Sequence, residues 1–162
     1  MKHCLICDRI KQIKNHRNPH FVIELSTGYV VFGDHQFYKG YTLFLSKIHA
    51  SELHVIDQKT RQSFLNEMSL VGEAVYKVFK PEKLNYELLG NKYSHMHWHI
   101  YPRHKDDPDP KRPIWSYPKN KRCNDNTIAS ALFLNKYKPI LYTELHTISN
   151  KSKSQIQNMS TV

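Results

Sequence analysis

No stretch of this 162-residue chain approaches the roughly 18 consecutive apolar residues that a membrane-spanning helix needs. The opening residues, Met1 to Asp8, hold no apolar run long enough for a secretory signal, so a cytoplasmic protein is expected. Cysteine is scarce. Three cysteines leave one unpaired, which argues against a disulfide scaffold in a chain of this size. Acidic side chains are also few, with 14 Asp+Glu against 24 Lys+Arg and a net charge of +10. That excess suits a phosphate-rich ligand, or only keeps the chain soluble, and charge alone does not choose. There is no internal repeat and no low-complexity block. An apolar fraction of 40% is far above that of a disordered chain. The length fits one domain able to bury roughly two-thirds of its unfolded surface.

Phe21-Val-Ile-Glu-Leu25 and Tyr29-Val-Val-Phe32 are β-branched and aromatic, with a turn signal at Ser26-Thr-Gly28 between them. Tyr41-Thr-Leu-Phe-Leu45 follows Gly40 and completes an antiparallel meander. Asp57 can cap a helix, because its carboxylate accepts from the free amides of a first turn. Beyond it Phe64, Met68, Val71, Val75, Val78 and Phe79 recur at three and four residues and form one apolar helix face, which Pro81 ends. Leu84 to Leu89 and His95 to Tyr101 read as two further strands joined through Gly90-Asn91. The expected architecture is α+β: an antiparallel sheet of about five strands with a main helix packed on one face, plus a C-terminal extension.

After Tyr101 the composition changes. Five of the eight prolines fall between Pro102 and Pro118, so residues 102–118 are expected to form an extended arm closing a first domain of residues 1–118. Residues 119–162 form a basic extension with seven basic and two acidic side chains. Apolar residues from Ile128 to Ile148 suit a helix that Pro139 should break or kink. The tail from about residue 149 is polar and expected to be disordered.

His95-Met-His97-Trp-His99-Ile-Tyr-Pro-Arg103 is the most informative segment. Alternation along a strand puts His95, His97 and His99 on one surface and turns Met96, Trp98 and Ile100 into the core. Three imidazoles have no stabilising purpose on a polar strand face. Two chemistries suit them: metal coordination, or covalent catalysis by a neutral imidazole whose neighbours orient it and donate to a phosphate. Lys92, Arg103 and His104 are cations near them in sequence. Cys4 and Cys7 form a Cys-x-x-Cys, which reads as half a metal site or a redox pair; Cys123 stands alone in a polar stretch.

The triad segment resembles the His-φ-His-φ-His-φ-φ motif of the histidine triad (HIT) nucleotide hydrolases and transferases. The resemblance runs from Cys4 to about Trp115. It takes in Cys4-Leu-Ile-Cys7, Asp34, Gly40 to His49, Leu84-Asn85, Leu89-Gly-Asn91, Pro102-Arg103 and Asp107-Pro108. It implies that His97 attacks the α-phosphorus of a nucleotide to form a nucleotidyl-histidine, that His99 donates to the phosphate oxygens, and that His95 orients the nucleophile or binds metal. The substrates it implies are dinucleoside polyphosphates or nucleoside phosphoramidates of a purine base. It further implies that Asp34 holds the ribose hydroxyls and that Asn91 and Arg103 contact substrate. Asn91 stands where many members carry the longer Gln. Cys4, Cys7, His49 and His95 match the zinc-bearing branch and would form a structural site. No organic cofactor is implied, and a homodimer is. Two other readings remain: a strand-borne His-metal enzyme, and a basic nucleic-acid-binding module with a zinc knuckle. Ligands spread from residue 4 to 95 do not make a compact finger, which counts against the second.

Overall fold

The computed structural model describes the backbone of residues 3–159 and the side chains of residues 3–152. Its centre is a five-stranded antiparallel sheet. The strands are β1 (Phe21–Glu24), β2 (Gly28–Phe32), β3 (Thr42–Ser46), β4 (Lys83–Leu88) and β5 (His97–Arg103). Their order across the sheet is β1-β2-β3-β5-β4, so the last strand in sequence lies inside the sheet and β4 forms an edge. β5 starts at His97 rather than at His95, and it extends through Pro102 to Arg103, into the segment expected to be an arm. Pro102 faces Leu84 in the ladder.

The helix expected after Asp57 is present as α2 (Gln58–Phe79), following α1 (Leu5–Lys14) near the N-terminus. Asp57 accepts from the Thr60 amide at 2.9 Å, and Lys80 ends the helix in the left-handed region with φ 48°. Pro81, next in the chain, cannot supply the amide that a further turn would need. Phe64, Val71, Ala74, Val75 and Phe79 pack against Val30, Phe32, Phe44 and Ile100 of the sheet. Gly40, at the turn into β3, has φ +92°, and a Cβ there would lie 2.6 Å from the Phe79 ring. A larger residue would therefore strain both the turn and the packing of α2.

Sequence reading assigned no element to residues 5–14. Here Cys4 caps α1, and Ile6, Ile10 and Ile13 lie on the opposite sheet face against Tyr29, Val31, Leu43 and Leu45. This explains why every residue of β2 and β3 is buried: each face of those strands has its own helix.

Beyond β5 the chain passes through short turns, including the four-residue α3 (Lys119–Arg122), to a long helix, α4 (Ala131–Met159). Of the break or kink expected at Pro139, the break does not occur: the helix runs past Pro139. Pro139 and Asn135, whose carbonyl loses its partner, are both exposed, so water can satisfy the freed group. The helix also crosses residue 149, where disorder was expected, and continues to Met159; residues 160–162 of that tail lie outside the described residues. Leu134, Leu141, Leu145 and Ile148 of α4 are buried in the same core as α2, so the extension is packed onto the sheet. No helix among the described residues is long and apolar enough to cross a membrane.

Candidate active site and metal cluster

Direct pairing fixes which way the histidines face. His97 lies opposite Leu45 and His99 opposite Leu43, so both share the α1 face of the sheet. Trp98 lies opposite Phe44, and Met96 and Ile100 are fully buried under α2, as the alternation requires. α1 covers β2 and β3 but leaves β5 uncovered, and a cleft of about 220 Å³ opens there. His97, His99, Tyr41 and Tyr101 form its floor, Arg9 and Asp34 one flank, and Arg122 and Cys123 another.

His97 donates from Nδ1 to the His95 carbonyl at 2.7 Å. A neutral imidazole carries one hydrogen, so this bond leaves the Nε2 lone pair free. Burial holds the His97 pKa below its ordinary value, although the His95 carbonyl favours the charged form. His99 lies with Nδ1 2.6 Å from the Tyr41 hydroxyl. When Tyr41 donates, the His99 hydrogen sits on Nε2, where it can serve as a donor. Burial, with His97 adding to it, pushes the His99 pKa down to about 3. The Tyr41 ring stacks on Tyr101 at 4.1 Å, which fixes the hydroxyl in place.

His95 does not join its neighbours in the cleft. It is buried, its Nε2 donates to the Ser46 carbonyl at 2.8 Å, and its Nδ1 points at Cys4 and Cys7 (3.6 and 3.4 Å). His49 Nδ1 is 3.1 Å from Cys7 Sγ. The four ligand atoms of Cys4, Cys7, His49 and His95 lie within 4.8 Å of one another. Zinc bonds of about 2.0–2.3 Å give tetrahedral edges of about 3.5 Å, so two thiolates and two imidazoles at this spacing fit the ion. The Ser46 bond also places the His95 hydrogen on the nitrogen turned away from the cluster, as a ligating histidine requires.

The other expected site residues divide. Asp34 is in the cleft, but both its oxygens accept from the Arg9 guanidinium, and His20 stands 3.9 Å away. Burial alone would raise its pKa; Arg9 outweighs that and holds it below the usual carboxylate value. Asn91 is exposed on the β4–β5 connection and does not line the cleft. Arg103 is also outside it. It is only 4% exposed, and it donates to Asp107, to Asn85 and to the carbonyls of Asp109 and Arg112. Its guanidinium ties down the proline-rich arm. Proximity in sequence suggested a phosphate contact, but the β5 pleat and the arm's return give it protein acceptors instead. Lys92 lies over the Tyr93 ring at 5.2 Å on the metal side.

Arg9, Tyr41, Tyr101, Arg122 and Cys123 are cleft residues that sequence reasoning missed. For Arg9 a signal existed, because Ile6, Ile10 and Ile13 follow helical spacing and place it on the flank of α1. Nothing in the sequence brings Arg122 back to β5.

The HIT domain family model matches residues 15–106, more than half of the chain. The chain belongs to the HIT domain family. Among solved structures, a histidine triad protein from Marinobacter aquaeolei VT8 is similar, with TM-score 0.69 and 19% identity, over 80% of this chain and 90% of that one. A hypothetical histidine triad nucleotide-binding protein from Sulfolobus tokodaii gives TM-score 0.68 and 19% identity over 90% and 95% of the two chains. A zinc-bound histidine triad family protein from Mycobacterium smegmatis gives 0.62 and 17% over 91% and 96%. No curated protein matches the sequence. The HIT fold points to nucleotide hydrolase or transferase chemistry in general, and some family members are non-catalytic.

Proposed function

We propose that this HIT protein is a nucleotide hydrolase or nucleotidyl transferase. In this reading it cleaves at the α-phosphate of a dinucleoside polyphosphate or nucleoside phosphoramidate, with His97 as nucleophile. The observation that carries this is the Nδ1 bond of His97 to the His95 carbonyl, which directs a free Nε2 lone pair into a cleft lined by donors.

In the first step Nε2 of His97 forms a bond to the α-phosphorus. The bond from phosphorus to the leaving oxygen or nitrogen breaks, and its electron pair departs with the leaving group; a leaving nitrogen takes up a proton from solvent as it departs. The imidazole becomes cationic, and the His95 carbonyl stabilises that charge through Nδ1–H. His99 donates from Nε2 to a phosphate oxygen. In the second step water adds to phosphorus, the P–N bond breaks, and its electrons return to His97. A nucleoside monophosphate and a proton are released. Burial keeps His97 neutral near pH 7, so the lone pair is available without prior deprotonation.

Asp34 would meet the ribose hydroxyls with the lone pairs that Arg9 leaves open, and a purine base is the expected substrate base. Zinc bound by Cys4, Cys7, His49 and His95 would supply structural cross-linking of α1 to β5. Those residues fix the His95 backbone, and therefore the ring of His97. A cytoplasmic homodimer is part of the same reading; sedimentation would test the dimer.

The strand-borne metalloenzyme has less support, because the His95 ring points away from the other two and toward the cysteines. The deciding experiment incubates the purified protein with diadenosine tetraphosphate and adenosine 5′-phosphoramidate and identifies the products. Release of AMP from at least one, lost in His97→Asn, supports the reading; turnover retained in His97→Asn overturns it.

A further inference from the structure

The two ends of the cleft differ in chemistry. His97, His99 and Tyr101 follow one another along the cleft face of β5, so Tyr101 stands about 13 Å from His97 at the rise of a strand. Asp34 belongs to the Tyr101 end. Phe32 closes the β2–β3 ladder opposite Thr42, Thr42 faces Ile100, and Asp34 follows two residues beyond Phe32. The wall built from residues 117–129 is fixed to that same end. The Ala129 amide donates to the Asp34 carbonyl at 2.8 Å, the Gln36 amide donates to the Thr127 carbonyl at 2.7 Å, and Tyr117 stacks on Phe37 at 5.2 Å. Through this wall Arg122 and Cys123 line the cleft.

Phe37, Tyr38 and Tyr101 make this end aromatic, with Tyr38 edge-on to both of the other rings (5.1 and 5.9 Å). Aromatic walls suit the flat faces of a nucleobase, but they do so for every base. Choice among bases must therefore come from polar groups that meet a base edge. Most polar side chains here are already engaged: Arg9 and Asp34 with each other, and His35 Nδ1 with the Thr127 hydroxyl at 3.0 Å. Arg122 is different. It donates from Nε to the Tyr117 carbonyl at 2.8 Å and lies over the Trp115 ring at 5.8 Å. Among the described residues it makes no ion pair, and its terminal amino groups have no acceptor. A guanidinium can only donate. Guanine offers it two adjacent acceptors, O6 and N7, whereas adenine sets an amino donor beside N7.

We infer that Arg122 reads the base, so that the cleft prefers guanine nucleotides to adenine nucleotides. This rests on the hydrolase reading above for the direction of the nucleotide: with the α-phosphate at His97 and the ribose at Asp34, the base is the part that reaches the wall. Nε, held by the Tyr117 carbonyl, fixes the plane of the guanidinium, and the two terminal amino groups then meet O6 and N7 together. The paired Arg9 and Asp34 stay with the sugar. Arg122 lies outside residues 15–106, so the preference is a property of this chain's own extension and not of the shared domain.

The test measures the dissociation constants of GMP and AMP by calorimetry for the full chain as wild type, Arg122→Gln and Arg122→Lys. Turnover of diguanosine and diadenosine tetraphosphate by wild type is measured beside them. A bidentate contact from arginine to guanine is worth on the order of tenfold or more in discrimination. Wild type is therefore expected to bind GMP about tenfold or more tightly than AMP, and Arg122→Gln should lose most of that ratio. Arg122→Lys keeps the charge without the planar fork and should retain only part of it. Equal weakening of GMP and AMP in Arg122→Gln would assign Arg122 to holding the wall and overturn the inference. A wild type without preference, a preference that survives in Arg122→Gln, or full retention by lysine would also overturn it. Turnover of neither tetraphosphate, with the GMP preference present in wild type and lost in Arg122→Gln, is the failure of the hydrolase reading alone and supports the base contact.

Discussion

The carbonyl oxygen of His95 lies 2.7 Å from Nδ1 of His97, while the ring of His95 faces Cys4 and Cys7. One residue thus links the candidate metal cluster through its side chain to the candidate nucleophile through its backbone. The strand pleat makes this possible. His95 sits just before β5, where the chain is not yet paired, so its ring can turn toward α1 while His97 faces the cleft.

About one zinc per chain is expected in protein purified without added metal, and elemental analysis measures it. Cys4→Ser should lower both zinc content and thermal midpoint, because metal binding free energy contributes to folding. Iron in place of zinc, or no metal in protein that was never stripped, contradicts the assignment.

Arg103 should behave as a structural residue. Arg103→Ala removes a buried guanidinium and strands the carboxylate of Asp107, which is 7% exposed. A loss of about 3 kcal/mol in urea unfolding is expected. Lysine should not rescue it, since it cannot supply the same planar set of donors. Unchanged stability together with a large rise in KM would return Arg103 to substrate binding.

His99 gives stability a pH dependence of defined sign. Its folded pKa lies near 3, pushed down by burial and His97, whereas an unfolded histidine titrates near 6.5. The unfolded state therefore takes up the proton first. Stability should fall as pH drops below about 6.5 and continue falling toward about 3. His99→Asn should lack this component. Thermal midpoints of wild type and variant should diverge between pH 7.5 and 5, and parallel curves would show that His99 is not held neutral.

Much of this was legible in local pattern. The apolar spacing from Phe64 to Phe79, the cap at Asp57 and the alternation of His97, Trp98 and His99 are short-range signals, and each maps directly onto geometry. What escaped depends on contacts distant in sequence. Ile6, Ile10 and Ile13 are spaced for a helix but interleaved with lysines and an arginine, which obscured α1. Arg103 looked like a phosphate ligand because it follows the triad, yet it serves residues of the returning arm. Arg122 and Cys123 are held at the cleft by contacts distant in sequence, the bonds of residues 127–129 to the segment 34–36 and the stack of Tyr117 on Phe37. Cys4, Cys7, His49 and His95 were readable as a candidate metal set through family resemblance, not through spacing alone.

Truncation separates the two C-terminal boundaries. A chain ending at Pro118 loses Leu134, Leu141, Leu145 and Ile148, all buried in the main core, and should not fold cooperatively. A chain ending at Asn150 keeps all four and should retain a cooperative melt. Circular dichroism on heating reads both, and a cooperative melt of the shorter chain would show that residues 1–118 fold without the extension.

The central claim is that His97 becomes covalently nucleotidylated. Wild-type protein mixed briefly with radiolabelled diadenosine tetraphosphate and quenched in alkali should carry an acid-labile nucleotide at His97, found by peptide mass mapping. Alkali preserves the adduct because a phosphoramidate hydrolyses once its nitrogen is protonated. His97→Asn should carry no label, and brief chelation should not prevent labelling of wild type. Turnover that vanishes on metal removal and returns on readdition, with no adduct trapped at any time, would contradict the account.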